Sequence, residues 1–327
     1  MKKTQWTLGI DIGGTKIEVA GVKSNGTVFK HIRRGVRHGA KVVDIEKDII
    51  DMAQELIVNI GHKPDAIGIG MAGQIDPGEG RVIFSPNLNW HNVPLKHDIN
   101  KRLNIPVAIT NDVRAATLGE WKYGAGKGYD DIVCVFVGTG IGGGIVSKGK
   151  LLEGCTNTAG EIGHITVEID GPQCTCHNRG CLEAIASGWA IKRDAKEKVL
   201  ADPVSGARLL RLAGGDPEKI TAEIVAMSAH KRDPLAKNII ERVSRALIAG
   251  MVSLINAFNP CIMILGGGII EGLPELVDRV DKGVHRYAIK SAVSHLKVVK
   301  SKLGHHAVVI GAAVFANYTF KDKGDSL

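Results

Sequence analysis

Hydrophobic and polar positions alternate in short runs at the start of the chain and then change to a helical spacing. Three segments alternate in this way, at 7–12, 17–22 and 27–33, and together they predict a three-stranded meander. Segment 43–60 has its apolar residues at helical spacing, which predicts an amphipathic helix. The run 66–73 is mostly apolar, as expected for a buried parallel strand.

The following segments continue this exchange of strands and helices. Segment 106–112 predicts another buried strand, and 114–124 predicts a helix that a glycine ends. At 131–154 the pattern restarts as strand, glycine turn and strand, and a helix predicted at 234–258 precedes a strand at 261–269. The chain thus contains a degenerate duplication, and each half opens with a hairpin that turns on glycines. We expect an α/β fold of two lobes, with both turns at the cleft between them.

The run of glycines between 119 and 130 gives the best boundary between the two lobes. We expect a small α/β lobe over 1–118, which carries the first glycine turn. A large α/β lobe over 119–302 carries the second glycine turn. A C-terminal helix within about 303–327 is expected to pack back on the small lobe.

Composition argues against several classes of protein. Lys and Arg outnumber Asp and Glu by 42 to 34, and the resulting net charge of +8 fits a protein that handles polyanions. The one densely basic stretch, 31–41, has no aromatic residue to stack on a base, so we expect no nucleic-acid partner. The N-terminus lacks the apolar region of a secretion signal, and 246–258, the most apolar helix candidate, is too short to span a membrane. We therefore expect a cytoplasmic protein with no membrane partner and six reduced cysteines.

Three glycine-rich turns follow predicted strands, and the familiar nucleotide motifs do not describe them. Segment 137–144, VGTGIGGG, contains G-x-G-x-x-G, but a strand follows it where a dinucleotide-binding turn would open a helix. The first turn, within 11–16, carries Gly-Gly-Thr-Lys, which inverts the order of the P-loop residues. A third cluster, 266–268, follows a buried strand. Because glycine lets backbone N–H groups converge on an anion, three such turns, one of them with an aspartate, predict phosphate binding.

Asn111 and Asp112 end a predicted buried strand just before a helix, and two roles fit the aspartate. As an N-cap, Asp112 would satisfy backbone N–H groups at the start of the helix. As a general base, it would accept the proton of a hydroxyl that attacks a phosphoryl group. That reaction needs mainly positioning and charge neutralisation, with one carboxylate beside the nucleophile. The residues alone leave both roles open.

Three cysteines, Cys174, Cys176 and Cys181, lie close together in a chain that we expect to carry no disulfides. Thiolates at this spacing predict a structural Zn²⁺ site that needs one more ligand. The adjacent His177 and the distant His164 are both candidates for that ligand. The remaining cysteines lie in apolar or strand contexts, which favours inert core positions: Cys134, Cys155 and Cys261.

Taken together, these motifs resemble the ROK family (repressors, open reading frames and kinases) of bacterial sugar kinases. This family is part of the actin-like ATPase and sugar kinase superfamily, which implies a ribonuclease H-like α/β fold in both lobes. The resemblance covers the chain from end to end. It is carried by Asp11–Lys16, Asn111–Asp112, Gly138–Gly144, Gly160–His164, Cys174-x-Cys176 with Gly180–Glu183, and Gly266–Gly268.

The resemblance implies a role for each motif. It places the phosphates of ATP at the first two glycine turns and adenosine at the third, with Asp11 positioning Mg²⁺. The implied ATP-binding residues are Asp11, Gly13, Gly14, Thr15, Lys16, Gly138, Thr139, Gly140, Gly142, Gly143, Gly266 and Gly267. The implied sugar-binding residues are Gly73, Asn87, Asn111, Asp112 (also the catalytic base), Glu161, His164 and Glu183. The implied zinc ligands are His164, Cys174, Cys176 and Cys181, although His177 stands where the family usually has glycine.

The activity implied by the resemblance is ATP-dependent phosphorylation of a hexose. Glucose at O6 is the preferred substrate, because segment 159–171 and the cysteine cluster resemble the glucose-phosphorylating members. Kinases of N-acetylmannosamine or of another hexose share nearly every motif and stay open as alternatives. A sugar-responsive repressor of the family needs a helix-turn-helix ahead of the core, and the first turn at residue 11 leaves no room for one. The resemblance also implies a homodimer or homotetramer.

Overall fold

A computed structural model describes residues 5–37, 39–76 and 78–321, without the side chain of residue 321. The β-strands in these ranges are β1 (Trp6–Ile12), β2 (Lys16–Lys23), β3 (Val28–Gly35), β4 (Ile67–Met71), β5 (Gln74–Ile75), β6 (Val82–Ser85), β7 (Trp90–Val93), β8 (Val107–Asn111), β9 (Ile132–Val137), β10 (Ile141–Ser147), β11 (Lys150–Leu151), β12 (Ile262–Gly266) and β13 (Lys297–Lys300). The α-helices are α1 (Val42–Ile60), α2 (Leu95–Leu103), α3 (Asp112–Tyr123), α4 (Glu183–Ala186), α5 (Gly188–Ala201), α6 (Ala207–Leu212), α7 (Ala222–His230), α8 (Pro234–Phe258), α9 (Gly268–Gly272), α10 (Glu275–Tyr287), α11 (Lys290–Val293) and α12 (Ala307–Lys321).

The chain divides into two compact units, and each is discontinuous in sequence. The first unit comprises the residues up to 129, residues 148–159 and the residues from 302 onward; the second comprises 130–147 and 160–301. The boundary expected between 118 and 119 falls inside helix α3, which lies whole in the first unit. Gly119 does not end this helix, because Leu118 and Trp121 on either side of it are both buried. Residues 322–327 of the expected C-terminal segment lie outside the described residues.

The first unit contains a five-stranded sheet in the order β3-β2-β1-β4-β8. Strands β1, β2 and β3 form the predicted antiparallel meander, and β4 and β8 extend the sheet in parallel with β1. In the register, Ile12 pairs with Met71, and Met71 pairs with Asn111. The carboxyl ends of β1, β4 and β8 therefore lie side by side at one edge of the sheet, which is where ligands of such sheets bind.

Helices cover both faces of this sheet. Side chains such as Ile10 and Ile69 form a buried core with Ile49 and Leu56 of α1. Successive residues of a strand point to opposite faces, so Gly9 and Gly68 face the other way, toward α12. A Cβ on Gly9 would lie 2.0 Å from the carbonyl oxygen of Val309, and one on Gly68 would lie 1.8 Å from that of Ala312. Helix α12 thus rests directly on the backbone of β1 and β4.

Helices α1 and α2 pack against each other and bury the carboxyl group of Glu46. Glu46 of α1 is 5% exposed, and Asp98 of α2 is half-buried. Burial and the Asp98 carboxylate together raise the pKa of Glu46 to about 7, whereas the nearby Arg102 acts in the opposite direction. The packing of the two helices is therefore favoured when Glu46 is protonated.

The second unit repeats the strand pattern of the first. Its sheet runs β10-β9-β12-β13, with β9 and β10 as an antiparallel hairpin and β12 and β13 parallel to β9. Helix α8 coincides with the predicted helix at 234–258 and buries one face, which includes Ile240, Leu247 and Leu254. The predicted duplication is therefore present, with a glycine-rich hairpin opening each sheet. None of the helices in the described part of the chain combines the length and the apolarity that crossing a bilayer requires.

Candidate active site

The edge of the first unit's sheet carries the first glycine turn and several of the predicted site residues. Asp11 is the next-to-last residue of β1, and Gly13–Thr15 form the turn that leads to Lys16 at the start of β2. The turn is closed by the Gly13 N–H, which donates to the Lys16 carbonyl at 2.9 Å. A Cβ on Gly14 would lie 3.0 Å from the Cβ of Asn87, so the turn lies against the loop that carries this predicted sugar ligand.

Asn111 and Asp112 stand at the same edge, and the structure distinguishes their local roles. The Asn111 side chain caps α3, because its Oδ1 accepts from the backbone N–H groups of Val113 at 2.9 Å and Arg114 at 3.2 Å. Its Nδ2 donates to the carbonyl of Gly73 at 3.4 Å. Asp112 is the first residue of the helix, so the N-cap role that the sequence left open for it belongs to Asn111. The Asp112 Oδ1 accepts from the same Val113 N–H at 2.9 Å, so the carboxylate adds to a cap that Asn111 already supplies.

The two aspartates of this edge interact electrostatically. Burial and the charge of Asp112 raise the pKa of Asp11 to about 7, against the opposing effect of Lys16. A buried carboxyl group whose pKa is raised by a neighbouring carboxylate suits a divalent cation, because the charge of the cation removes the repulsion. The donor set at this edge therefore fits Mg²⁺.

The second glycine turn belongs to the second unit and is shorter than the sequence motif. It consists of residues 138–140 between β9 and β10, with Thr139 at its centre, and the Gly138 N–H donates to the Gly140 carbonyl at 2.9 Å. Gly142 and Gly143 lie within β10, where a Cβ on Gly143 would lie 2.1 Å from Ile162. The third glycine cluster lies beside this turn. Gly266 ends β12, and a Cβ on Gly267 would lie 2.4 Å from the carbonyl oxygen of Val137, the last residue of β9.

Glu183 connects the second turn with the loop that carries the cysteines. Its Oε2 accepts from the backbone N–H of Ile141 at 2.8 Å, and its Oε1 accepts from the Thr175 hydroxyl at 3.4 Å. Glu161 and His164 lie at the start and the end of a short 3₁₀ turn, with Oε2 of the first 4.0 Å from Nε2 of the second. The imidazole thus has its Nε2 on the side of Glu161, while its Nδ1 is 3.6 Å from the Sγ of Cys174.

His164, Cys174, Cys176 and Cys181 form one cluster, in which all four possible ligand atoms lie within 4.8 Å of one another. His177 is not part of this cluster; its backbone N–H donates to the Cys174 carbonyl at 3.0 Å. Gly180 has φ of +67°, and a Cβ there would lie 1.4 Å from the carbonyl oxygen of Glu168, so the loop requires glycine at this position. Burial and the neighbouring thiols raise the pKa of Cys181 to about 12. Three thiols and an imidazole at this separation fit a tetrahedral Zn²⁺.

Some sequence expectations differ from the structure, and some relevant residues were missed. Cys134 is buried as expected, but the expectation of core positions for Cys155 and Cys261 is wrong, because both are exposed. Sequence reasoning did not single out Arg114, a buried arginine two positions after Asp112, or Asn157, with which it forms a hydrogen bond. A charged residue followed by Ala-Ala in the first turn of an otherwise apolar helix face was the available signal.

The ROK family matches residues 7–318 of the chain. A glucokinase of Thermotoga maritima is 39% identical over 309 residues, which cover 94% of this chain and 95% of that protein. A xylose repressor of Bacillus subtilis is 31% identical over 314 residues, which cover 95% of this chain and 76% of the repressor. The crystal structure of a ROK family glucokinase from Streptomyces griseus in complex with glucose and AMPPNP matches with a TM-score of 0.83 and 35% identity, over 95% of this chain and 99% of that one.

These similarities agree with the strand order and the glycine hairpins described above. The structural match confirms the predicted two-lobed α/β fold of the actin-like ATPases and sugar kinases. The family match extends over nearly the whole chain and takes in both units. The chain belongs to the ROK family.

Proposed function

We propose that this protein is a glucokinase, which transfers the γ-phosphoryl group of Mg·ATP to O6 of glucose. One observation carries the proposal. In the first unit, Asp112 directly follows Asn111, the cap of α3, and lies at the sheet edge that also holds the glycine turn after Asp11. A base for a hydroxyl and a turn for a phosphate are the two parts that this reaction needs at one edge. The similarity to glucokinases over almost the full chain supports glucose as the sugar.

The Asp112 carboxylate acts as the general base. It accepts the proton of the sugar hydroxyl while the oxygen of that hydroxyl attacks the γ-phosphoryl group of ATP, whose bond to the departing ADP breaks. Asn111 holds this region in place, because its amide is bonded both to the start of α3 and to Gly73. Asn87, which is exposed beside the glycine turn, binds a sugar hydroxyl. Paired acceptors and donors of this kind recognise the adjacent hydroxyls of a hexose.

The second unit contributes a further set of sugar contacts and the adenosine side. Glu161, His164 and Glu183 bind sugar hydroxyls, and Glu183 is held for this purpose by the Ile141 N–H. The glycine turns at 13–15 and 138–140 hold the phosphates of ATP, with the flanking Lys16 supplying positive charge. Gly142 and Gly143 support the second turn from within β10, and Gly266 and Gly267 leave room for adenosine. When bound, Mg²⁺ would neutralise phosphate charge, and Asp11 would hold it.

The cluster of His164 with Cys174, Cys176 and Cys181 holds a structural Zn²⁺ in this proposal. Four protein ligands leave no position for a reacting water, so the metal would brace the segment and take no part in the reaction. His164 has one ring nitrogen on the cysteine side and the other on the side of Glu161. A bound metal would thereby fix the orientation of an imidazole that touches sugar.

The test is a coupled kinase assay over a panel of hexoses, with the wild-type protein and the Asp112→Asn variant. We expect glucose to be phosphorylated fastest, and we expect kcat to fall by roughly two to four orders of magnitude in the variant, the usual contribution of a general base. The dissociation constant for glucose should change far less. If N-acetylmannosamine is phosphorylated faster than glucose, it replaces glucose as the proposed substrate, and the proposed reaction stands. Sugar binding without any phosphorylation would favour a regulator, and normal turnover by the variant would remove Asp112 from the mechanism. The homodimer or homotetramer and the cytoplasmic location that the sequence analysis expects for this protein stay predictions.

A further inference from the structure

Arg114 is buried two residues after the proposed base and binds a loop distant in sequence. Arg114 is only 5% exposed and lies in the first turn of α3. One guanidinium nitrogen donates to Oδ1 of Asn157, and the other donates to the carbonyls of Glu153 and Ala159, both at 3.2 Å. The segment 153–159 has no helix or strand of its own, and these bonds hold it together with the Ala159 N–H, which donates to the Glu153 carbonyl at 3.0 Å. A planar guanidinium can serve several acceptors in one fixed geometry, which an ammonium group cannot do.

The bonds of Arg114 are part of a closed circuit around the start of α3. Asn157, which Arg114 holds, donates from its Nδ2 to the carbonyl of Ile75 at 3.3 Å. Two residues before Ile75, the carbonyl of Gly73 accepts from Nδ2 of Asn111 at 3.4 Å. The circuit closes where Oδ1 of Asn111 accepts from the backbone N–H of Arg114 at 3.2 Å. Asp112 lies in the chain between the two residues that close it.

We propose that Arg114 is a positioning residue for phosphoryl transfer to the sugar. By holding Asn157, it fixes the β5 segment and the Asn111 amide, and so the backbone from which the Asp112 carboxylate projects. This inference rests on the proposed function, because it assigns Arg114 a part in the same reaction. Three acceptors in segment 153–159 share the Arg114 guanidinium as their donor. Without the guanidinium this segment is held less firmly, and the Asp112 carboxylate is less firmly oriented as a result. Misplacement of a reacting group by about 1 Å can reduce a rate about a hundredfold.

The experiment measures kcat and KM for glucose and for ATP in Arg114→Ala, Arg114→Lys and Asn157→Ala. We expect kcat/KM for glucose to fall about 100-fold in Arg114→Ala and about 10-fold in Asn157→Ala, with the KM for ATP unchanged. Arg114→Lys keeps the charge but lacks the fork, and should recover only part of the loss. The double variant Arg114→Ala/Asn157→Ala should have a kcat/KM for glucose no lower than that of Arg114→Ala alone, because both substitutions break the same circuit.

The matched control is Thr117→Val on the same helix. Thr117 is fully buried, and its hydroxyl donates to the Val113 carbonyl at 2.9 Å, so the change perturbs α3 without touching the loop. It should lower stability to urea and leave the kinetics unchanged. Equal losses for glucose and ATP, following the stability of each variant, would reduce Arg114 to a structural residue and overturn the inference. Normal glucose kinetics in folded Arg114→Lys and Asn157→Ala would overturn it as well, even if Arg114→Ala does not fold. A wild-type protein that phosphorylates no hexose would instead refute the proposed function.

Discussion

Substitution of Gly138 by alanine tests whether the second glycine turn holds phosphate. Among the described residues, no heavy atom other than those of its chain neighbours lies within 4 Å of the position that a Cβ on Gly138 would take. The φ angle of Gly138 also lies outside the left-handed region, so the backbone accepts alanine. The protein itself therefore offers no resistance to the new methyl group. The space beside Gly138 is where the proposal puts a phosphate of ATP, and the methyl group would compete for it.

The expected loss follows from the bonds that the phosphate would give up. Alanine keeps the backbone N–H of residue 138, which donates within the turn, so the substitution removes no donor and acts only by displacing the phosphate. If displacement costs one hydrogen bond to a charged group, the loss is about 1.5–3 kcal/mol. At tenfold per 1.4 kcal/mol, ATP should bind about 10- to 150-fold more weakly. The free energy of unfolding should stay within about 0.5 kcal/mol of the wild type.

The assay is calorimetric titration of Gly138→Ala with AMPPNP and, separately, with glucose, together with urea unfolding. Gly140→Ala is the comparison, because its Cβ would lie 2.6 Å from Oε2 of Glu183, a proposed sugar ligand. Glucose affinity should fall in Gly140→Ala and stay unchanged in Gly138→Ala. Unaltered AMPPNP affinity in a folded Gly138→Ala protein would refute the assignment of phosphate to this turn.

Three further predictions concern stability and the metal. The pKa of Glu46 is raised from 4.5 to about 7, so the folded state favours the protonated form and loses stability as pH rises through that window. The loss in the free energy of unfolding is at most about 3 kcal/mol. In Glu46→Gln, the free energy of unfolding measured in urea should change little between pH 4.5 and 8. A wild-type profile that is already flat would contradict this. His164→Ala should lose bound zinc and weaken glucose binding, whereas His177→Ala should lose neither; elemental analysis that finds zinc missing from the His177 variant would assign the ligands differently. Gly68→Ala should destabilise the protein by about 3 kcal/mol, the upper end for overpacking, because its Cβ would meet the backbone of α12 at 1.8 Å. Gly35→Ala, with its Cβ 3.9 Å from the closest atom, should be nearly neutral by the same urea assay.

Local patterns predicted the sheets well. Alternation, helical spacing and a glycine after a strand are all properties of neighbouring residues, and they located the hairpins and the buried strands to within one to four residues. Strand ends also indicated the candidate site, because polar residues after buried parallel strands meet at one edge. The position of Asp112 was predicted in this way. Only the structure shows that Asn111 accepts the capping hydrogen bonds at the start of α3.

The parts that the sequence did not predict depend on contacts between distant residues. The three-stranded sheet β5-β6-β7 and the short helices α4, α6 and α7 have no long periodic pattern. Arg114 gains its importance from a loop about forty residues away, which no local pattern specifies. The same holds for the unit boundary. The glycines between 119 and 130 suggested a boundary at Gly119, but a Cβ on Gly119 would lie 2.6 Å from the carbonyl oxygen of Ala307, so α12 packs closely on α3 there. Exposure of Cys155 and Cys261 likewise follows from how distant segments pack.

The position of α12 on β1 and β4 sets an order of events during biosynthesis. The ribosome delivers residues up to 129 first, yet the backbone groove at Gly9 and Gly68 has no cover until 307–321 have been made. At about 5–20 residues per second, that wait lasts roughly 10 to 40 seconds. The sequence of the second unit, 130–147 and 160–301, is fully synthesised within the interval. The unit that begins first is thus the last to be completed, and a nascent chain carries an uncovered sheet face while residues 130–306 are made.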